Sequence, residues 1–279
     1  MAPRPRFIHL RTLTEYSLLE GALRVKSLPQ AAVDMGMPAL AVTDTNNMFC
    51  ALEFSEGAAK AGRQPIHGCQ LELMFDAAAP GEKARAPAPI VLLAQNETGY
   101  RNLMKLNSAL YLRGDGALPH VSLPELERHA EGLICLTGGP QGPFGHLLAA
   151  GQAAKAGVLL DHLQRIFADR LYIELQRHRH DGTASRQETL AERWSIETAY
   201  ARDLPLVATN DVYFPKPEMY EAHDALICIA EGAYVDQQAP RRRLRSEWPR
   251  RRAGEGLLGR NQVSRLLSTC FRSAQQGGA

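Results

Sequence analysis

Short apolar runs recur along the chain, and a stretch with helical periodicity follows most of them. Strands are expected at Phe7–Arg11, Ala39–Thr43, Pro65–Phe75, Ile90–Ala94, Leu133–Thr137, Leu171–Gln176 and Leu206–Thr209. Helices are expected over Leu23–Met35, Asn47–Ala61, Thr98–Tyr111, Leu123–His129, His146–Phe167, Ser185–Arg202 and Pro217–Ala230. Tyr100, Leu103, Leu106 and Leu110 recur every three or four residues, the signature of a helix that buries one face. Strands alternating with helices predict an α/β architecture with a mainly parallel sheet, and periodicity alone leaves open sheet and closed barrel undecided. In both forms the functional side chains gather at the carboxyl ends of the strands. Polar clusters lie there: Arg11 to Glu15, Asp44 to Asn46, Gln176 to His180, and Asn210-Asp211.

Composition narrows the class. The 279 residues are 45% hydrophobic and 22% charged, which suits a globular domain with a sizeable core. There is no run of about 18 apolar residues, so no membrane span is expected, and the first residues do not resemble a secretory signal. Five cysteines at 50, 69, 135, 228 and 270 show no metal-ligand or redox spacing, which suits a reducing cytosol. An Ala/Pro-rich connector spans 76–89 and reads as a surface loop.

Charge is unevenly placed. From Arg241 to Ala279 there are ten Arg and two Glu with no Lys or Asp, a net +8, which leaves −6 for the first 240 residues. The body therefore carries no generic nucleic-acid footprint. The expected division is a domain over 1–244 and an Arg-rich tail over 245–279. The tail's composition fits out-of-frame translation of a GC-rich gene better than a basic arm that grips phosphate.

His9, Asp44, His178, Asp211 and His223 come from separate strands, strand ends or the helix beyond, a set that would suit a multinuclear hydrolytic centre if they converged. Taken singly, such residues more often cap helices and turns, so spacing alone is a weak argument for a metal.

The motifs carry more. His9-Leu-Arg-Thr-Leu-Thr-Glu-Tyr-Ser-Leu-Leu-Glu-Gly21 and Pro38-Ala-Leu-Ala-Val-Thr-Asp44-Thr-Asn-Asn-Met-Phe49 resemble the first two motifs of the N-terminal PHP (polymerase and histidinol phosphatase) domain of bacterial DNA polymerase III alpha subunits. Gln64 to Gln70, Leu171 to His178 and Leu204 to Tyr213 resemble three further motifs of the same family. The resemblance implies a distorted (β/α)7 TIM-like barrel. It also implies a place in the DNA polymerase III holoenzyme, docking of the proofreading exonuclease subunit, DNA contact through the full-length polymerase and a cytoplasmic setting. Nucleotidyl transfer with magnesium would belong to a palm domain that this chain lacks.

The same resemblance marks departures. Arg11 and Leu13 stand where two ligand histidines belong, and Thr45, Gln70 and Tyr213 replace a His, a Glu and a His. Gly139 falls where active members carry Cys, whereas Asp44, His178 and Asp211 match. Leucine has no lone pair, and a guanidinium both repels cations and keeps its proton. The cleft, with His9 and His223 nearby, is thus expected to be vestigial, without catalytic residues or bound metal, with Arg11 paired to Asp44 or Asp211. The alternative is a metal-dependent phosphoesterase or 3′–5′ proofreading exonuclease on Asp44, His178 and Asp211.

Overall fold

The computed structural model describes residues 7–76, 85–112, 118–177 and 184–236. The tail from 245, His178 and most of the 76–89 connector lie outside them. The strands are β1 (Ala39–Val42), β2 (Gln64–Met74), β3 (Ala88–Ala94), β4 (Val121–Ser122), β5 (Leu133–Leu136), β6 (Leu171–Leu175) and β7 (Leu206–Ala208). The helices are α1 (Leu28–Asp34), α2 (Ala51–Lys60), α3 (Glu97–Leu112), α4 (Leu123–Arg128), α5 (Pro143–Ala149), α6 (Ala153–Phe167), α7 (Arg186–Ala201) and α8 (Tyr220–Glu231).

The strands form one curled sheet in the order β1-β2-β3-β5-β6-β7, with β4 beside the far end of β2. Pairing is parallel except at β3, which runs against both β2 and β5. The reason is visible in the connection. No helix lies among the described residues between β2 and β3, and a parallel return needs a crossover of a dozen or more residues, usually helical.

The segment expected as a first strand, Phe7–Arg11, is not a regular strand. It runs as an irregular ladder between the two ends of the sheet. Ala41 N–H donates to the His9 carbonyl and Thr43 N–H to that of Thr12, both at 2.9 Å. On the other side Leu13 N–H donates to the Val212 carbonyl at 3.0 Å. The seam between β1 and β7 is thereby bridged, and the sheet curls into a barrel of the expected α/β type.

Alternation along the strands sorts the core. Ile8, Ala41, Ile66, Val91, Ile134, Leu136, Tyr172 and Val207 form one buried cluster inside the curl. Residues of the opposite parity, among them Leu71, Leu92, Cys135 and Ile173, face outward and pack under Leu103, Leu106, Leu160, Leu163 and Phe167 of α3 and α6. The single helix expected over His146–Phe167 is two, because the chain turns at Gly151, whose φ of 71° is the left-handed region that favours glycine. Ser185 caps α7 through a 3.0 Å bond from Glu188 N–H, which fixes where that helix starts. No helix among the described residues is long and apolar enough to cross a membrane.

Phe167 is fully buried between α6 and the sheet. Truncation to alanine is expected to cost about 3–5 kcal/mol, through lost burial and the cavity left behind. Urea unfolding of Phe167→Ala followed by circular dichroism measures it.

Candidate functional site

The inward parity that gives an apolar floor turns polar at the carboxyl ends of the strands. Gln70 follows Ile66 and Gly68 on β2, Glu174 on β6 and Gln176 just past it follow Tyr172, and Thr209 and Asp211 follow Val207 beyond β7. Into their centre the seam segment projects Arg11, which is wholly buried.

Each nitrogen of that guanidinium is engaged. Nε lies 3.0 Å from Asp211 Oδ1 and donates to Gln70 Oε1 at 3.1 Å. Nη2 donates to the same Gln70 oxygen at 2.6 Å. Nη1 donates to the Gly138 carbonyl at 3.3 Å and lies 3.6 Å from Glu174 Oε1. Burial works against the charge, but Asp211 and then Glu174 outweigh it and push the Arg11 pKa above its ordinary value.

The partners are themselves held. Glu174 accepts from the Thr209 hydroxyl, from Gln176 Nε2 at 3.1 Å and from Gly138 N–H at 2.8 Å. Asp211 accepts from the Tyr213 hydroxyl at 2.7 Å. Gln70 Nε2 donates to Thr45 Oγ1 at 3.2 Å, and Thr45 donates onward to Glu20 at 2.6 Å. Gly138 has φ of 86°, and a Cβ there would stand 1.9 Å from the Pro89 carbonyl, so only glycine can offer its backbone to both charges.

Asp44 stands apart from this network. It accepts from Thr14 N–H and Ser17 Oγ, both at 2.6 Å, from Thr14 Oγ1 at 2.7 Å and from the Cys50 thiol at 3.2 Å. Burial, with Asp44 adding, holds the Cys50 thiol well above its usual pKa, so it stays a donor. Of the two partners expected for Arg11, the structure gives Asp211. Leu13 is buried against Tyr213 and Phe214 with no polar role. His9 is buried with Phe7 edge-on to its ring, and burial lowers its pKa to about 4. His223 sits on α8 against the rings of Tyr213 and Phe214, with Nε2 at 2.7 Å from the Glu20 carbonyl.

Glu174 was not among the residues expected here. A signal existed: it is the one charged residue in the run Leu171–Gln176, and it shares the parity of Gln176.

The donors present suit a group of divalent cations poorly. A fixed positive charge fills the space between Asp211 and Glu174, Asp44 is saturated by four donors, and Gln70 turns its oxygen to Arg11. Gly139 offers no side chain, and a Cβ built on it would meet Gln176 Oε1 at 2.5 Å. Among the described residues no three His, Cys, Asp or Glu side chains converge on one point.

A curled α/β sheet whose polar residues crowd the carboxyl ends of its strands defines an α/β barrel with a polar mouth. Residues 9–178 match the PHP domain, and the chain belongs to that family. It is 46% identical over 245 residues to the DNA polymerase III subunit alpha of Caulobacter vibrioides, covering 87% of this chain and 21% of that protein. Subunits of the same description from Rickettsia bellii and Pseudomonas aeruginosa are 39% and 40% identical, over 86% and 85% of this chain. The chain spans about a fifth of the length of these relatives. Among solved structures, one assigned as a metal-dependent phosphoesterase from Bifidobacterium adolescentis aligns at a TM-score of 0.48 with 13% identity, over 76% of this chain and 89% of that one.

Arg11→Met is expected to destabilise the fold by about 3–5 kcal/mol, since it leaves two buried carboxylates without their cation. Chemical denaturation at neutral pH reads this directly.

The pH dependence follows from His9. Its folded pKa of about 4 lies below the ordinary 6.5, so the unfolded chain binds the proton first. Stability is full above pH 6.5 and falls as pH drops toward 4, by about 3 kcal/mol for this one group. His9→Gln should flatten that part of the stability curve, as denaturant midpoints between pH 7 and 4 would show.

Proposed function

We propose that this chain is a non-catalytic bracing and docking module of a bacterial DNA polymerase III alpha subunit, working in the cytoplasm within the replicative holoenzyme. Its tasks would be to support the polymerase core and to seat the proofreading exonuclease subunit. DNA contact and magnesium-dependent nucleotidyl transfer would belong to polymerase segments with no counterpart in the matched region. The relatives support the setting, since each is an alpha subunit.

One observation carries the non-catalytic part: the Arg11 guanidinium lies between Asp211 and Glu174, where hydrolytic chemistry would need cations and water. A buried Arg cannot act as a base, and it polarises no water for attack. The competing reading, a metal-dependent phosphoesterase or 3′–5′ exonuclease, would need Asp44, His178 and Asp211 to share ions. Asp44 faces Thr14, Ser17 and Cys50 instead, which weighs against it.

Two experiments test this. Purified chain incubated with a 3′-labelled primer and millimolar manganese, zinc or magnesium should release no nucleotide above background, and any turnover lost on Arg11-independent substitution of Asp44 would sink the reading. Immobilised chain should retain the exonuclease subunit of the same bacterium from a purified mixture, with a folded control domain retaining none.

A further inference from the structure

The loop after the seam segment is tightly braced yet turns large apolar side chains outward. Ser17 bonds to Asp44 and to Thr45 N–H, Asn47 Nδ2 donates to the Tyr16 carbonyl at 2.9 Å, and His223 contacts the Glu20 carbonyl. Between these anchors Leu18 and Leu19 are 78% and 45% exposed, and Leu19 holds a φ of 64°, unusual for a residue with a Cβ. Phe49 and Leu52, at the start of α2, are 70% and 73% exposed, and the Phe49 ring lies 6.5 Å edge-on to Tyr16. The two pieces are tied together, so they form one apolar patch beside the barrel mouth.

Its rim is acidic. Glu15 and Glu20 bracket Leu18 and Leu19 in the chain, Glu53 follows Leu52, and Glu53 accepts from the Tyr16 hydroxyl at 3.5 Å. Glu53, slight burial and Glu15 together push the Tyr16 phenol above its ordinary pKa, which reports negative field at the patch.

The same chain carries the complement. Residues 241–252 hold seven Arg and one Glu, with Leu244 and Trp248 as their large apolar side chains. Arginine and tryptophan are the residue types that anchor interfaces best. The segment can reach. Glu231 ends α8 eight residues after His223, about 12 Å along the helix. From Asp236 to Leu244 the chain can span up to about 28 Å.

We propose that residues 241–252 dock on the Leu18–Leu19–Phe49–Leu52 patch of their own chain, with Leu244 and Trp248 covering its apolar centre and the arginines facing Glu15, Glu20 and Glu53. The charge argument holds whatever reading frame produced the segment.

Trp248 provides the test. In a Trp194→Phe background it is the sole tryptophan of the chain. Acrylamide quenching of the full chain at about 50 mM salt should find Trp248 shielded. The Stern–Volmer constant should rise about threefold in Phe49→Ser/Leu52→Ser, in Glu15→Gln/Glu53→Gln, and at 1 M salt, where screening shortens to about 3 Å. The substituted side chains are exposed, or half-buried for Glu53, and far-ultraviolet circular dichroism confirms that each variant folds. Equal quenching in parent and patch variants overturns the proposal. Shielding that depends on chain concentration overturns it in favour of docking between copies. Shielding that appears only with duplex DNA overturns it in favour of a nucleic-acid arm.

Discussion

A guanidinium with no access to water is the constraint around which the barrel mouth is organised. Taking such a charge out of water costs several kcal/mol, and attraction offsets that only where geometry and hydrogen bonding are nearly complete. Arg11 meets the condition because its planar fork reaches three directions at once: Asp211 beyond β7, Gln70 on β2, and Gly138 after β5 with Glu174 on β6. A lysine could supply the charge but not the fork. Donor direction then propagates outward. Because Arg11 has only donors, Gln70 must offer its oxygen inward and its amide N–H outward to Thr45, whose own proton is left for Glu20. One buried side chain thereby fixes the orientation of Gln70 and, through it, of the Thr45 hydroxyl.

Asp44 shows the same economy applied to an anion. Its four donors come from the seam strap, Thr14 and Ser17, and from the start of α2, Cys50. A carboxylate so saturated has no lone pair to spare for an ion and acts as a staple between two loops. The hydroxyls that saturate it belong to the motif in which the resemblance would seek metal ligands. The cause is local: Thr14 and Ser17 bond to Asp44 directly, while Arg11 is engaged by Asp211, Glu174 and Gln70.

The regular elements were legible because their signals are local. Short apolar runs gave β1, β2, β3, β5, β6 and β7 to within a residue or two, and the apolar spacing of α3 survived intact. What was missed depends on distant partners. Phe7–Arg11 was expected as a regular strand, yet its ladder is irregular, since His9 pairs with Ala41 and Arg11 with Val212 at the two edges of the sheet. The two-residue β4 exists only by pairing with Leu73 and Met74. Glu174 announced itself by parity, yet its role depends on Arg11, which is 163 residues earlier in the chain, and no spacing rule links the two.

A covalently attached cation gives the mouth a mechanical property that a diffusible one would not. A diffusible ion would hold the mouth together only while it stayed bound, whereas the chain between β1 and β7 is always present. Arg11 belongs to that chain. Its backbone carbonyl accepts from Val212 N–H at 3.4 Å while its side chain grips Asp211, so the seam is held at two levels by one residue. The closure of the barrel is therefore written into the polypeptide and does not vary with the supply of any ion. A module that braces a larger enzyme needs that property, whereas a hydrolase needs a centre whose water and ligands can exchange. The buried guanidinium gives closure that needs no exchangeable ion.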